Sequence, residues 1–220
     1  MEHEIKNHWV VHEPTQGHPI SIRALKPKGS SLDLRPHNRT FHPCAFADLE
    51  EMKLAFESEA LMLNQRGYNV YFIMNEIRED FKENIAVKDA DISARTTLLI
   101  DIDRNGDTSC PADSEELQAA EELADRVERY LLGEGFPRPA WVESGNGMHL
   151  YFRLSAIPNT PDCTQALEAF LKGLANQLKH PLVGIDTTVF NASRITKVIG
   201  TVARKGQESE GREFRIARLR

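Results

Sequence analysis

An apolar run, Thr97-Leu98-Leu99-Ile100, leads straight into Asp101-Ile102-Asp103, and the chain then turns at Arg104-Asn105-Gly106-Asp107. This is the pattern of a buried strand that ends in two carboxylates. Side chains alternate along a strand, so Asp101 and Asp103 project from one face while Ile102 returns to the core. Two carboxylates held that close repel unless a cation or a proton lies between them. The pair is therefore a candidate divalent-metal site. An EF-hand calcium loop is one alternative, since Asp101, Asp103, Asn105 and Gly106 match its opening. The bidentate Glu needed at the twelfth position of such a loop is Ala112 here, and the residues before it read as strand, not helix. A plain strand end with solvated Asp side chains is the other alternative, and this motif alone does not separate it from a metal site.

Two further segments carry candidate chemistry. Ser144-Gly145-Asn146-Gly147-Met148-His149 places two glycines where the backbone can turn sharply and approach a ligand, with N–H groups suited to phosphate oxygens. His149 follows at a strand start, where its imidazole can donate to a phosphate. Taken alone, the same residues fit an ordinary hairpin with a partly buried histidine. Further on, Gly184-Ile185-Asp186-Thr187 supplies another carboxylate. Arg194-Ile195-Thr196-Lys197 supplies two cations that read equally well as surface charge.

In this order, the three segments resemble the catalytic motifs of the archaeo-eukaryotic primase superfamily, most closely its plasmid and phage primase-polymerase (RepB-like primase) branch. The apolar strand ending in D-x-D matches Leu99 to Asp103. The S-x-G-x-x-H-like motif with an aromatic strand after it matches Ser144 to Phe152. The apolar residue followed by Asp matches Ile185-Asp186, with a basic R-x-x-K-x-x-G-T segment behind it. Weaker echoes are Val70 to Asn75, an aromatic strand ending in Asn with Glu76 where Pro is common, and Arg212-Glu213-Phe214-Arg215, with Phe where His is usual.

The resemblance implies an α+β primase-polymerase core with a mixed or antiparallel RRM-like sheet flanked by helices, over residues 20–220. It implies template-directed nucleotidyl transfer on single-stranded DNA from nucleoside triphosphates. Asp101, Asp103 and Asp186 would hold two Mg²⁺ or Mn²⁺ ions, with nucleotide phosphates completing the shell. Ser144, Gly145, Gly147 and His149 would grip the triphosphate, and Arg194 and Lys197 would face phosphate. Arg204, Lys205, Arg212 and Arg215 would supply the salt-sensitive part of template binding. A fused or separate helicase and a small helical accessory module are the expected partners, these residues being the catalytic domain of a longer protein. Two other readings use the same residues: a metal-dependent nuclease or phosphodiesterase, and a replication-initiator DNA-binding domain whose site is inactive.

These residues need elements to position them. A strand is predicted over Ile20–Leu25, closed by Lys26-Pro27-Lys28-Gly29. A helix follows over about 47–66, with Leu49, Met52, Phe56, Ala60 and Leu63 on one face and Gly67 as its stop. Val70–Met74 is the strand before the Asp pair. Asp113-x-x-Glu116 forms a capping box that opens a second helix, with Leu117, Ala120, Leu123, Val127 and Leu131 on one face. Trp141–Glu143 and Leu150–Arg153 read as strands joined by the Gly-Asn-Gly turn. A third helix carries Leu167, Phe170, Leu171, Leu174 and Leu178. Short strands are expected near 187–190, 195–199 and 214–219. Residues 1–19 show little periodicity and are expected to be loosely ordered.

Composition agrees with this class. The 220 residues are 40% hydrophobic and 27% charged, ordinary for a globular chain. The three cysteines, Cys44, Cys110 and Cys163, lack C-x-x-C spacing, which argues against a zinc or disulfide framework. No run has the length of a membrane span and the start is too polar for a signal peptide, so a cytoplasmic protein of bacterial, phage or plasmid origin is expected. The net charge of −6 hides an asymmetry: from Arg194 onward eight bases face three acids, a net of +5 against −11 for the remainder. A positive segment on an acidic body can hold a polyanion locally.

Overall fold

The structure, a computed structural model, describes residues 2–106 and 109–220. Asp107, the last residue of the turn after the Asp pair, lies outside them. The chain opens with two short helices, α1 (Glu2–Ile5) and α2 (His8–Val11), then β1 (Ile20–Leu25), β2 (His37–Phe41), α3 (Leu49–Gln65) and β3 (Asn69–Ile73). The helix α3 starts where Asp48 accepts a hydrogen bond from the Glu51 N–H, and its buried face is Met52, Phe56, Ala60 and Leu63, the spacing expected of an amphipathic helix. It covers a four-stranded antiparallel sheet of order β2-β1-β3-β9, whose last member is β9 (Ile195–Lys197).

The second sheet carries the Asp pair. After β4 (Glu76–Ile77) comes the long strand β5 (Ile92–Arg104), followed by α4 (Ser114–Gly133), β6 (Ala140–Glu143), β7 (Met148–Pro158), α5 (Pro161–Gln177) and β8 (Val183–Ile185). Beyond β9 lie β10 (Val202–Ala203), β11 (Arg215–Ile216) and β12 (Arg218–Leu219). The order is β12-β6-β7-β5-β4, with β8 beside the C-terminal end of β5; every pairing in the sheets is antiparallel. The expected capping box at α4 is present, Asp113 and Glu116 each accepting the other's backbone N–H. One continuous core joins α3, α4 and the inner faces of both sheets. Asn75 braces the two sheets: its amide donates to the Ala192 carbonyl and accepts from the N–H groups of Thr96 and Thr97.

The structure departs from the sequence reading at three places. Residues 2–12 form two helical turns that bury Ile5 and His8, with the His8 ring stacked 5.5 Å from Phe56. Periodicity is invisible in helices this short, which is why the sequence reads as loose there. Residues 187–190 form a turn, not a strand. The strand β2 carries too few apolar residues to announce itself, and β8 and β10 are too short to show alternation. No helix among the described residues is long and apolar enough to cross a membrane.

Candidate active site

The two sheets part to leave a cleft of about 450 Å³. One wall is β5 and β7, the other β3, β9 and the turns after β1 and β10. Asp101 and Asp103 both reach the cleft from β5, as alternation requires, while Ile102 is fully buried. Asp101 pairs in register with His149 on β7. On its other side the Asp186 N–H donates to the Asp101 carbonyl at 2.8 Å, which extends the β8–β5 register by one residue and sets Asp186 beside Asp101. His149, Asp101 and Asp186 thus form one row across three strands, with Asp103 two residues along.

The electrostatics of the row are uneven. Burial pushes the Asp101 carboxyl up, but His149, with Arg194 and Lys205, pulls harder and holds it below the ordinary range. Burial and the neighbouring Asp101 push the Asp103 carboxyl up, against Lys205, whose Nζ stands 3.7 Å away. His149 Nε2 lies 3.4 Å from Asp101 Oδ1, an ion-pair distance, and that buried oxygen accepts no hydrogen bond. The attraction of Asp101 outweighs the burial of the imidazole and raises its pKa.

Each anticipated residue has a definite place. His149 is less exposed than the hairpin reading requires: Nδ1 is 2.8 Å from the Tyr151 hydroxyl, which bonds in turn to Thr196 Oγ1 on the other sheet. A carboxylate facing Nε2 demands a proton there, which fixes the tautomer of the neutral ring. Ser144 Oγ accepts from the N–H groups of Gly147 and Asn146, so the loop caps itself rather than presenting those donors to a ligand. The glycines are needed for close approach. Gly145 has φ +97°, and a Cβ there would stand 2.6 Å from the Ala203 Cβ. A Cβ on Gly147 would press on the Ile102 carbonyl and stand 2.9 Å from Asp103 Oδ1.

Asp186 Oδ1 accepts from the Thr188 N–H at 2.7 Å, and the Thr188 carbonyl accepts from the Arg194 guanidinium at 2.6 Å. The third carboxylate therefore also shapes the turn that aims Arg194 at the cleft. Lys197 reaches the cleft floor but is 5% exposed. Arg204 and Lys205 line the cleft. Arg212 and Arg215 do not join them. Arg212 pairs with Asp113 and Glu116 at the start of α4, and Arg215 donates to the Ala112 carbonyl at 2.6 Å. Together with Arg104, which binds the carbonyls of Cys110 and Pro111, they clamp the segment between β5 and α4. Their positive charge is spent inside the fold, a pairing that composition does not show.

Sequence reasoning did not place the turn after β1 or the strand β3 at the cleft. Lys26 and Lys28 come from the turn after β1, which is tied to the Arg204–Gly206 turn by the Gly206 N–H donating to the Lys28 carbonyl at 3.0 Å. Asn69 and Tyr71 come from β3. Along the chain, Lys26-Pro27-Lys28 is legible only as a basic turn. Among the described residues, no group of three His, Cys, Asp or Glu side chains is arranged to hold a metal ion as it stands.

Two solved structures share this architecture. The primase-polymerase (PrimPol) AEP domain of cyanophage S-2L matches with a TM-score of 0.56 and 17% identity over 100% of this chain and 89% of that one. The primase RepB' matches with a TM-score of 0.55 and 11% identity over 100% of this chain. The chain has the archaeo-eukaryotic primase fold. It spans 55% of the length of the RepB' chain. No model of a known family and no curated protein matches the sequence.

Proposed function

We propose that the primase-fold cleft performs template-directed nucleotidyl transfer, adding nucleotides from nucleoside triphosphates to a strand on single-stranded DNA. The observation that carries this reading is the charge layout. Two carboxylates on one strand face a rim of cations, Lys26, Lys28, Arg194, Arg204 and Lys205, across a cleft open to solvent. An excess of cations over carboxylates suits a polyphosphate.

The carboxylates fit divalent cations. Asp101 has a buried oxygen without a hydrogen bond, and burial together with Asp101 pushes the Asp103 carboxyl up, so the repulsion within the pair is only partly offset by the cations beside it. An all-oxygen donor set suits Mg²⁺ or Mn²⁺. Asp101 and Asp103 would hold the ions, with Asp186 beside them. Bound there, the ions would neutralise phosphate charge and activate the attacking 3′ hydroxyl. The chain's own groups do the rest. His149 keeps Asp101 ionised, and is in turn held by Tyr151 and Thr196. Lys26, Lys28 and Arg194 orient the triphosphate, and Arg204 and Lys205 meet phosphate of the nucleotide or template.

A labelled primer annealed to a template, incubated with dNTPs and Mn²⁺, tests this. Stepwise lengthening is expected. Shortening of the primer would point to a nuclease, and a gel shift with no change in length to a DNA-binding domain; either result overturns the proposal.

A further inference from the structure

The turn between β8 and β9 has a site residue at each end, Asp186 where it opens and Arg194 where it closes. Its flanking strands are only three residues long, and side chains from other elements hold it along its length. Arg95 on β5 donates to the Phe190 carbonyl at 2.6 Å, and Asn75 to the Ala192 carbonyl at 2.9 Å. Asp89, in the single helical turn Asp89–Asp91 before β5, takes the next residue. Its Oδ1 accepts from the Ser193 N–H at 2.7 Å, from the Ser193 hydroxyl at 2.7 Å and from the Asn191 amide at 3.5 Å. The Asp89 main chain is fixed in turn, its carbonyl accepting from the Asn159 amide at 2.7 Å. Partial burial pushes the Asp89 carboxyl up, but the bonds from Ser193 and Asn191 hold it below the ordinary range, as several donors on one carboxylate do. Asp89 is nonetheless exposed and does not line the cleft, so any influence on a nucleotide there is indirect.

We propose that Asp89 is a positioning residue for Arg194: from outside the cleft it holds the end of the turn that aims the guanidinium at the triphosphate. The inference rests on the nucleotidyl-transfer reading of the cleft. Ser193 immediately precedes Arg194, and two donors of one residue on one oxygen fix its main chain and its χ1 together. The Arg194 N–H donates to the Asn191 carbonyl at 3.3 Å, and its guanidinium to the Thr188 carbonyl at 2.6 Å. Arg194 is thus located by the turn, and the closing end of the turn by Asp89. Without the carboxylate, Arg95 and Asn75 still hold residues 190 and 192, so the release is confined to the approach to Arg194. Geometry and bare charge predict opposite signs here. Removing a negative charge from a protein that binds a polyphosphate strengthens binding. Releasing the cation that orients the polyphosphate weakens it.

Steady-state primer extension by the full chain with Mn²⁺ reads KM for dNTP and kcat separately. Asp89→Ala is expected to raise KM about tenfold, the scale of one charge-assisted contact, with kcat within about threefold. Asp89→Asn keeps an accepting oxygen without the charge, and is expected to return KM to within about twofold of the unmodified protein. In an Arg194→Ala background, Asp89→Ala is expected to add nothing, because the residue it acts through is gone. The calorimetric Kd for dATP replaces KM in that cycle if Arg194→Ala is too slow to assay. A KM that is unchanged or lowered in Asp89→Ala overturns this inference and leaves the reading of the cleft standing. An equal rise in Asp89→Asn and Asp89→Ala also overturns it, as does a further rise in the Arg194→Ala background. No extension by the unmodified protein overturns the reading of the cleft itself.

Discussion

Gly147 is where the hairpin loop meets the Asp pair, and Gly147→Ala adds a single methyl group there. The backbone of Gly147 is not in the positive-φ region, so any effect is steric. The new Cβ would stand 2.9 Å from Asp103 Oδ1 and closer still to the Ile102 carbonyl oxygen. Ordinary carbon–oxygen contacts begin near 3.3 Å, so the loop and β5 must part by about 1 Å. Overpacking of this kind costs about 1–3 kcal/mol, which at this chain length lowers Tm by roughly 2–12 °C. A displacement of about 1 Å at reacting groups costs on the order of a hundredfold in rate. The control is Gly173→Ala in α5, where nothing lies within 4 Å of the new methyl and helix propensity predicts a gain of roughly 0.5–1 kcal/mol. Calorimetric melts and primer extension read both quantities. A Gly147→Ala protein with unchanged Tm and unchanged extension rate would refute the claimed contact between the loop and the carboxylate strand.

Asp103→Ala is expected to abolish metal-dependent synthesis with Tm held or raised, because removing one of two adjacent carboxylates relieves repulsion; a large drop in Tm would contradict this. Acid should destabilise the fold through His8 and His12, which are buried with all four ring nitrogens unpartnered. Burial lowers the His8 pKa from 6.5 to about 3 and moves His12 the same way, so the unfolded chain binds protons first as pH falls. The His8 contribution is complete above about 6.5 and is lost as pH falls towards about 3, at up to about 1.4 kcal/mol per pH unit. Denaturant melts at pH 7 and 5 should show it, and His8→Phe should flatten the slope. Lys205→Ala should lower the log–log salt slope of single-strand binding by about 0.7 for each phosphate that the lysine neutralises. Arg212→Ala should leave that slope alone and lower Tm, since Arg212 is paired with Asp113 and Glu116.

What the sequence makes legible here is local. The face shared by Asp101 and Asp103 follows from strand alternation, and the start of α4 follows from side chains three residues apart closing a capping box. What it hides is non-local. Lys26, Asn69 and Tyr71 meet the Asp pair only because one sheet packs against another, and no spacing along the chain records that. The basic segment after Arg194 shows its charge in composition, but not that Arg212 and Arg215 are used to clamp residues 110–112. The phosphate-facing roles of Lys197 and His149 come from the resemblance, which says nothing of how deeply the two side chains are buried. Their burial is decided by Asn69, Val202, Tyr151 and Thr196, which lie on other strands or turns or, for Tyr151, on the same sheet face.

The central claim is that Asp101 and Asp103 hold the metal ions of a nucleotidyl-transfer site. The direct measurement is anomalous diffraction from crystals soaked with Mn²⁺ and a non-hydrolysable dNTP analogue. Two manganese peaks roughly 3.5–4 Å apart are expected at the Asp101 and Asp103 carboxylates, with the triphosphate reaching towards Lys26, Lys28 and Arg194. Manganese absent from those carboxylates, or a triphosphate bound elsewhere on the protein, would contradict the account.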